Sequence, residues 1–403
     1  MALLSLAELL AMSAWFTASA IGPELQTRWG LSGSEVGWLT TAVQLGFVAG
    51  TAVAALLNLA DIVPSRLLFS AAALLAGAAN GGLLLVPGLR EALAVRFLTG
   101  FFLAGVYPPA MKMISTWFRR ARGLAIGTVV GALTVGKATP YLLKAMPDLS
   151  VEGVVSGASL GGLLAAGMVF LAYREGPFPF RRVPFSWDMV TRVIRHQETR
   201  LAIFGYLGHM WELYAMWTWV PVFLLASAAR TAGISGDAST VAVELASFGA
   251  IAAGGLGCVW GGWAADRMGR EALVNLAMVV SGACSLAVGF FFGASFWILV
   301  PLTWIWGFFV VADSAQFSAM VTEVAPQEAV GTALTLQTSL GFLLTMVTIQ
   351  GLPILNESVG WEWTFPVLAL GPVFGIGAIL RLAGIRRSRA RSGNSGSAGP
   401  TRG

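Results

Sequence analysis

The sequence predicts an all-α membrane protein of twelve transmembrane helices, arranged as two six-helix bundles related by a pseudo-twofold axis. Three observations carry this expectation: apolar windows long enough to cross a bilayer, arginines sorted to one side, and a repeat at half the chain length. Of 403 residues, 56% are hydrophobic and only 11% charged. Soluble domains carry roughly a quarter charged residues, so an aqueous fold cannot hide this apolar surface. A helix needs about 20 apolar residues to cross a bilayer. Such windows lie near 2–23, 36–57, 67–87, 91–115, 123–144, 154–173, 202–226, 240–263, 272–294, 296–319, 331–354 and 363–383. Barrel strands would instead alternate over about ten residues.

The net charge of +5 invites a nucleic-acid reading, but the position of the charges argues against one. With the N-terminus inside, eighteen of the 25 basic residues fall in cytoplasmic segments and four (Arg28, Arg90, Lys144, Arg230) on the opposite side. That positive-inside bias places both termini in the cytoplasm. The "ASA" at 18–20 resembles a signal-peptidase site, yet no basic stretch precedes it and Glu8 interrupts the apolar run, so the first span reads as a retained helix.

Equivalent positions recur about 205 residues apart. Glu8-Leu-Leu-Ala-Met matches Glu212-Leu-Tyr-Ala-Met in spans 1 and 7, and Asp61 matches Asp266 after spans 2 and 8. "GFFLAG" at 100–105 matches "GFFVVA" at 307–312, and "RGLAIGT" matches "AVGTALT" after spans 4 and 10. Four matches in one order at a nearly constant offset indicate a duplication of six spans. Transporters are commonly built so, with the substrate site near the midplane between repeats. The expected organisation is an N-terminal bundle over 1–173, a cytoplasmic linker over 174–200, a C-terminal bundle over 201–384 and a disordered basic, Gly/Ser-rich tail over 385–403. In the linker, Trp187, Val190 and Ile194 share a helical face, which reads as an amphipathic helix on the cytoplasmic leaflet. It serves either as a solvated connector or as a partner-binding element.

The loop between spans 8 and 9 reads Gly261-Gly262-Trp-Ala-Ala-Asp266-Arg267-Met-Gly269-Arg270. It resembles the G-x-x-x-D-R-x-G-R loop signature of the major facilitator superfamily (MFS), and the twelve spans, central loop and half-chain repeat extend the resemblance to about residue 383. The resemblance implies the MFS fold, alternating access around a central cavity, and a cytoplasmic gate built from Gly262, Asp266, Arg267, Gly269 and Arg270. Small residues let helices approach, and an acid there can pair with arginines or cap a helix. The first-half copy keeps only Asp61 and a displaced Arg66. Arg96 in "RFLTG" matches the family's span-4 arginine. The span-5 Gly-Pro signature of proton-antiport drug exporters is absent; general character, including "GHMWELYAMWTW", is similar to bacterial porters for small anions and carboxylates.

Eight ionisable groups lie within spans: Glu8, Arg96, Lys112, Lys137, His209, Glu212, Glu244 and Asp313. A charge at the bilayer centre costs about 2.5–3.5 kcal/mol even on lenient scales, so pairing or a wet cavity is expected. The resemblance places Glu8 and Glu212 on cavity-lining helices, as proton carriers or as hydrogen-bonded acids locking helices together. His209, one turn before Glu212, is read as tuning or sharing that proton, or as a packing residue. Lys137, near Tyr141 and Pro140, contacts either a substrate carboxylate or a structural partner such as Glu212. Arg96 suits coupling or helix packing, Asp313 proton coupling, and Trp15 and Trp211 the cavity wall, with Trp217 and Trp219 as further candidates. Glu244 and Lys112 read as snorkelling or structurally paired.

The function expected is secondary-active transport of a small solute, best an organic or inorganic anion, by proton symport in a bacterial inner membrane, from a chain that acts as a monomer and not as an enzyme. The alternatives are proton-coupled efflux of drugs or amphipathic compounds, and a transport-dead membrane sensor. No P-loop, metal-ligand spacing or cofactor motif is found, and Cys258 and Cys284 receive no role.

Overall fold

The computed structural model describes residues 1–57, 59–118, 122–178, 187–231 and 237–395, with the side chains at 60–61, 122–123, 187, 237–239 and 390–395 left aside. Among the described residues every regular element is helical. Ten helices are long and apolar enough to cross a membrane. The first and fourth spans, broken into shorter pieces, complete the twelve.

Span 1 comprises Ala2–Met12, Thr17–Ala20 and Gly22–Trp29. Span 2 is Gly33–Leu56 and span 3 is Ser65–Gly81. Span 4 is Leu89–Leu103 followed by Tyr107–Ser115, span 5 is Arg122–Lys144 and span 6 is Val151–Ala172. A linker helix, Trp187–Arg195, precedes span 7, Gln197–Arg230. Span 8 is Asp237–Met268 and span 9 Arg270–Ala287. Span 10 divides at Asp313 into Phe296–Ala312 and Ser314–Val324; spans 11 and 12 are Val330–Val359 and Leu370–Ser395.

The breaks have local causes. Pro108 and Pro109 open the second piece of span 4; without N–H groups they leave the preceding turn unbonded. Span 1 contains no proline at its first break, over 13–16. Instead, Arg96 donates from Nη1 to the Ala14 carbonyl at 2.9 Å and from Nη2 to the Trp15 carbonyl. The guanidinium thus serves carbonyls that helix ends leave without an intrahelical partner, where cations are favoured.

The outside of the bundle is apolar, with Leu85, Leu171 and Trp297 all more than four-fifths exposed, while Glu8, Arg96, Gln44 and Gln337 are fully buried. This inverted arrangement suits a chain whose surroundings are lipid. Span 5 packs against span 8 and span 2 against span 11, joining the two halves. At the end of the bundle away from the linker, Lys144 lies 3.0 Å from Glu24 and 2.9 Å from Glu244. Gln350 bonds Thr41 and Ser34 on that side, and at the middle of spans 2 and 11 Thr345 donates to Gln44 at 2.5 Å. This far end is closed by polar contacts between the halves.

Two expected boundaries shift, and the linker helix buries a different face. Span 7 begins at Gln197 rather than 201, its first turn capped by His196, whose Nδ1 accepts from the Thr199 N–H. The linker helix forms where expected, but Val193 is its buried residue and Met189 touches Thr332 of span 11, whereas Ile194 is half exposed. It packs against spans 7 and 11, so protein contacts rather than the leaflet choose its apolar face. The tail expected to be disordered from 385 instead continues span 12 as helix to Ser395, with Arg386 bonded to Glu271 at 2.7 Å and Arg389 to Glu198 at 2.7 Å. Residues 396–403 lie outside the described residues.

Candidate substrate and proton site

Span 1 approaches span 5 closely because Gly136 carries no side chain: a Cβ there would land on the Leu9 carbonyl. The approach sets Glu8 opposite the next residue of span 5, Lys137. The Lys137 ammonium is buried and donates to the Tyr214 hydroxyl of span 7 at 2.5 Å. It also stands 4.2 Å from the Trp15 ring centroid, 4.8 Å from that of Tyr214 and 5.3 Å from that of Trp217, within the range of cation–π attraction. Phe47 and Phe342 close the cage, with ring centroids 5.2 Å and 5.6 Å from Trp15. Side chains from spans 1 and 7 therefore surround the ammonium of span 5 at the interface between the halves, and rings from spans 2 and 11 back them.

Polar groups around this cage remain unsatisfied. Both carboxyl oxygens of Glu8, the indole nitrogens of Trp15 and Trp217 and the hydroxyl of Tyr141 are buried without a hydrogen-bond partner among the described residues. No ion pair joins Lys137 to any acid among those residues. A buried charge ordinarily has a partner, so the cage holds a cation and several donors without an acceptor of opposite charge.

Glu212 belongs to a different site. Its Oε2 accepts from Ser281 Oγ at 2.8 Å and its Oε1 from Trp306 Nε1 at 2.7 Å, which ties span 7 to spans 9 and 10. The expectation that Glu212 balances Lys137 is thus replaced by Tyr214, two residues along the helix and facing the opposite way. The expected proton-sharing between His209 and Glu212 is likewise replaced: His209 Nδ1 lies 2.9 Å from Asp313 Oδ1. The His209 ring sits against Tyr206 and Phe317, and its Nε2 is unpartnered. Asp313 reaches it because span 10 breaks there.

Arg96, expected to serve in coupling or in helix packing, bonds the span-1 carbonyls and Asn80 Oδ1 at 2.8 Å, contacts that pack spans 1, 3 and 4 together. Trp211 is turned from the cage and donates to the Val367 carbonyl. Trp219 donates to the Ile349 carbonyl, within the second half. Glu244 pairs with Lys144, as its place near a span end implied.

In the loop after span 8, Asp266 is exposed and makes no ion pair among the described residues, nor does it cap span 9, whose N-cap is Gly269. Gly269 has φ +85°, a left-handed conformation suited to glycine, and makes the turn. Gly262 is half-buried near the end of span 8. Arg267 stacks over Trp263 at 3.8 Å, and Arg270 bonds Glu323 at 2.7 Å and Gln316 at 2.5 Å. Arg270 thus ties the start of span 9 to span 10 within the second half. The Asp61 side chain lies outside the described residues.

Tyr214, Phe47 and Phe342 had not been singled out from the sequence. One signal existed for Tyr214: it stands where the first-half repeat has Leu10, so an aromatic hydroxyl interrupts an otherwise matching run.

The family model of the Major Facilitator Superfamily matches residues 4–347. The chain belongs to this superfamily. Among curated relatives it is 26% identical over 283 residues to "MFS transporter asaE" of Aspergillus flavus, covering 70% of this chain and 56% of that protein. It is 24% identical over 183 residues to "MFS-type transporter pytF" of Aspergillus terreus, covering 44% and 58%. The chain thus spans little more than half the length of these relatives. Membership accords with the twelve-helix MFS fold of a multi-pass membrane protein.

Proposed function

We propose that this MFS protein is a secondary-active, proton-coupled porter for a small organic or inorganic anion. The halves rock about the Lys137 cage, which takes the substrate at mid-membrane in alternating access. The reading rests on one observation: a buried ammonium at the interface between the halves, bonded to a hydroxyl and faced by three aromatic rings, with no carboxylate paired to it among the described residues. A substrate anion supplies the missing charge, and the indole N–H groups of Trp15 and Trp217 supply further donors. The aromatic walls limit its size. In this reading the protein acts as a monomer in a bacterial inner membrane with both termini in the cytoplasm, an orientation that the arginine bias supports.

Purified protein in liposomes with a trapped pH dye, screened against small carboxylates and inorganic anions, tests this directly. Lys137→Ala is expected to reduce anion-driven proton movement about 100-fold, since truncating one member of a buried charge contact costs about 2–5 kcal/mol. Movement of protons by lipophilic cations or neutral amphipathic compounds alone, with no anion active, would transfer the assignment to efflux, a reading the aromatic walls also accommodate.

A further inference from the structure

Building on the anion reading of the cage, we propose that Glu8 carries the coupled proton and that Lys137 alternates between two partners, the substrate anion with Tyr214 across the half-interface and Glu8 within its own half. Two observations support the pairing. Glu8 is fully buried with neither oxygen hydrogen-bonded, while the other buried acids of the core, Glu212 and Asp313, are engaged by Ser281, Trp306 and His209. Glu8 also lies across a glycine-mediated helix contact from Lys137, within reach of its charge, yet makes no ion pair with it among the described residues.

A carboxylate stripped of every donor is not stable in its ionised form, so Glu8 holds a proton while Lys137 is turned to Tyr214. The lysine stem carries rotatable bonds enough to swing its ammonium between neighbours. When an anion occupies Lys137, Glu8 has no cation and must stay protonated. When the anion leaves, Lys137 pairs with Glu8, and the carboxyl proton departs to water on whichever side is open. One proton therefore travels with each negative charge, and no covalent bond to the substrate forms or breaks.

The other groups facing Glu8 leave this exchange intact. From span 4 come Tyr107, close enough to sense the Glu8 charge, and Lys112, a turn further along. Span 6 carries an acid only at Glu152, exposed at its outer end, and span 3 a base only at Arg66, stacked on Phe170 at the opposite end. Cys258 of span 8 approaches Lys137 from the far side and bonds the Val311 carbonyl.

The test uses full-length protein in liposomes and the anion that the wild type transports, measured two ways: counterflow without a gradient, and accumulation driven by a pH gradient. A gradient of one pH unit supports about tenfold accumulation through a one-proton carrier. Glu8→Gln is expected to keep counterflow and lose accumulation, with uptake no longer dependent on pH. Glu8→Asp is expected to keep accumulation with a displaced pH profile. Retained pH-driven accumulation in Glu8→Gln overturns the proposal and moves the proton elsewhere, His209–Asp313 being next. Loss of counterflow and accumulation together in Glu8→Gln, with wild-type pH behaviour in Glu8→Asp, also overturns it by making Glu8 a packing residue. If the wild type moves no anion, the anion reading itself fails, and the proposal with it.

Discussion

Glu8 and Glu212 occupy equivalent positions of a duplicated sequence, yet one is held by two donors and the other by none. Glu212 receives the Ser281 hydroxyl and the Trp306 indole and fastens span 7 to its neighbours. Glu8 faces Lys137 and has no hydrogen bond among the described residues. Duplication conserves where a side chain sits on its helix. Divergence in the surrounding spans decides what that side chain meets, so one copy fastens helices and the other is buried without a hydrogen-bond partner among the described residues.

Three measurements sharpen or break this comparison. The largest difference is expected from Leu substitutions. Glu212→Leu strands two buried donors and should destabilise the protein by about 2–4 kcal/mol, whereas Glu8→Leu strands none and should leave stability within about 1 kcal/mol while abolishing coupling. Thermal unfolding in detergent reads both, and equal losses at the two positions would end the distinction. A smaller effect is expected from Trp306→Phe, which removes one of the two donors to Glu212 and should cost about 1–2 kcal/mol by the same assay. The smallest belongs to Asp266→Asn. Asp266 is exposed and makes no ion pair among the described residues, so its stability should change by no more than about 0.5 kcal/mol. A large loss there would mean that the loop closes through Asp266 in another state of the transport cycle.

Much of the molecule was legible in advance. Hydropathy located every span because a bilayer demands a long apolar run regardless of what the helix touches. The half-chain repeat located Glu8 and Glu212, and Lys137 stood out because a buried ammonium in an apolar helix is costly. The partners were not legible. Periodicity placed His209 and Glu212 on one face one turn apart, but the break in span 10 delivers Asp313 to His209 and Trp306 to Glu212. Arg96 matched a family position, while its hold on the span-1 carbonyls depends on a break that no proline announces.

The sequence by itself determined twelve spans, their duplication and the few ionisable groups kept from lipid, because the bilayer acts on each helix separately and charges its cost residue by residue. The tertiary structure decided which of those groups are satisfied and which are buried without a hydrogen-bond partner among the described residues. Hydrogen bonding is settled between helices, by contacts such as Lys137 to Tyr214 that join residues far apart in the chain, and local sequence carries no record of them.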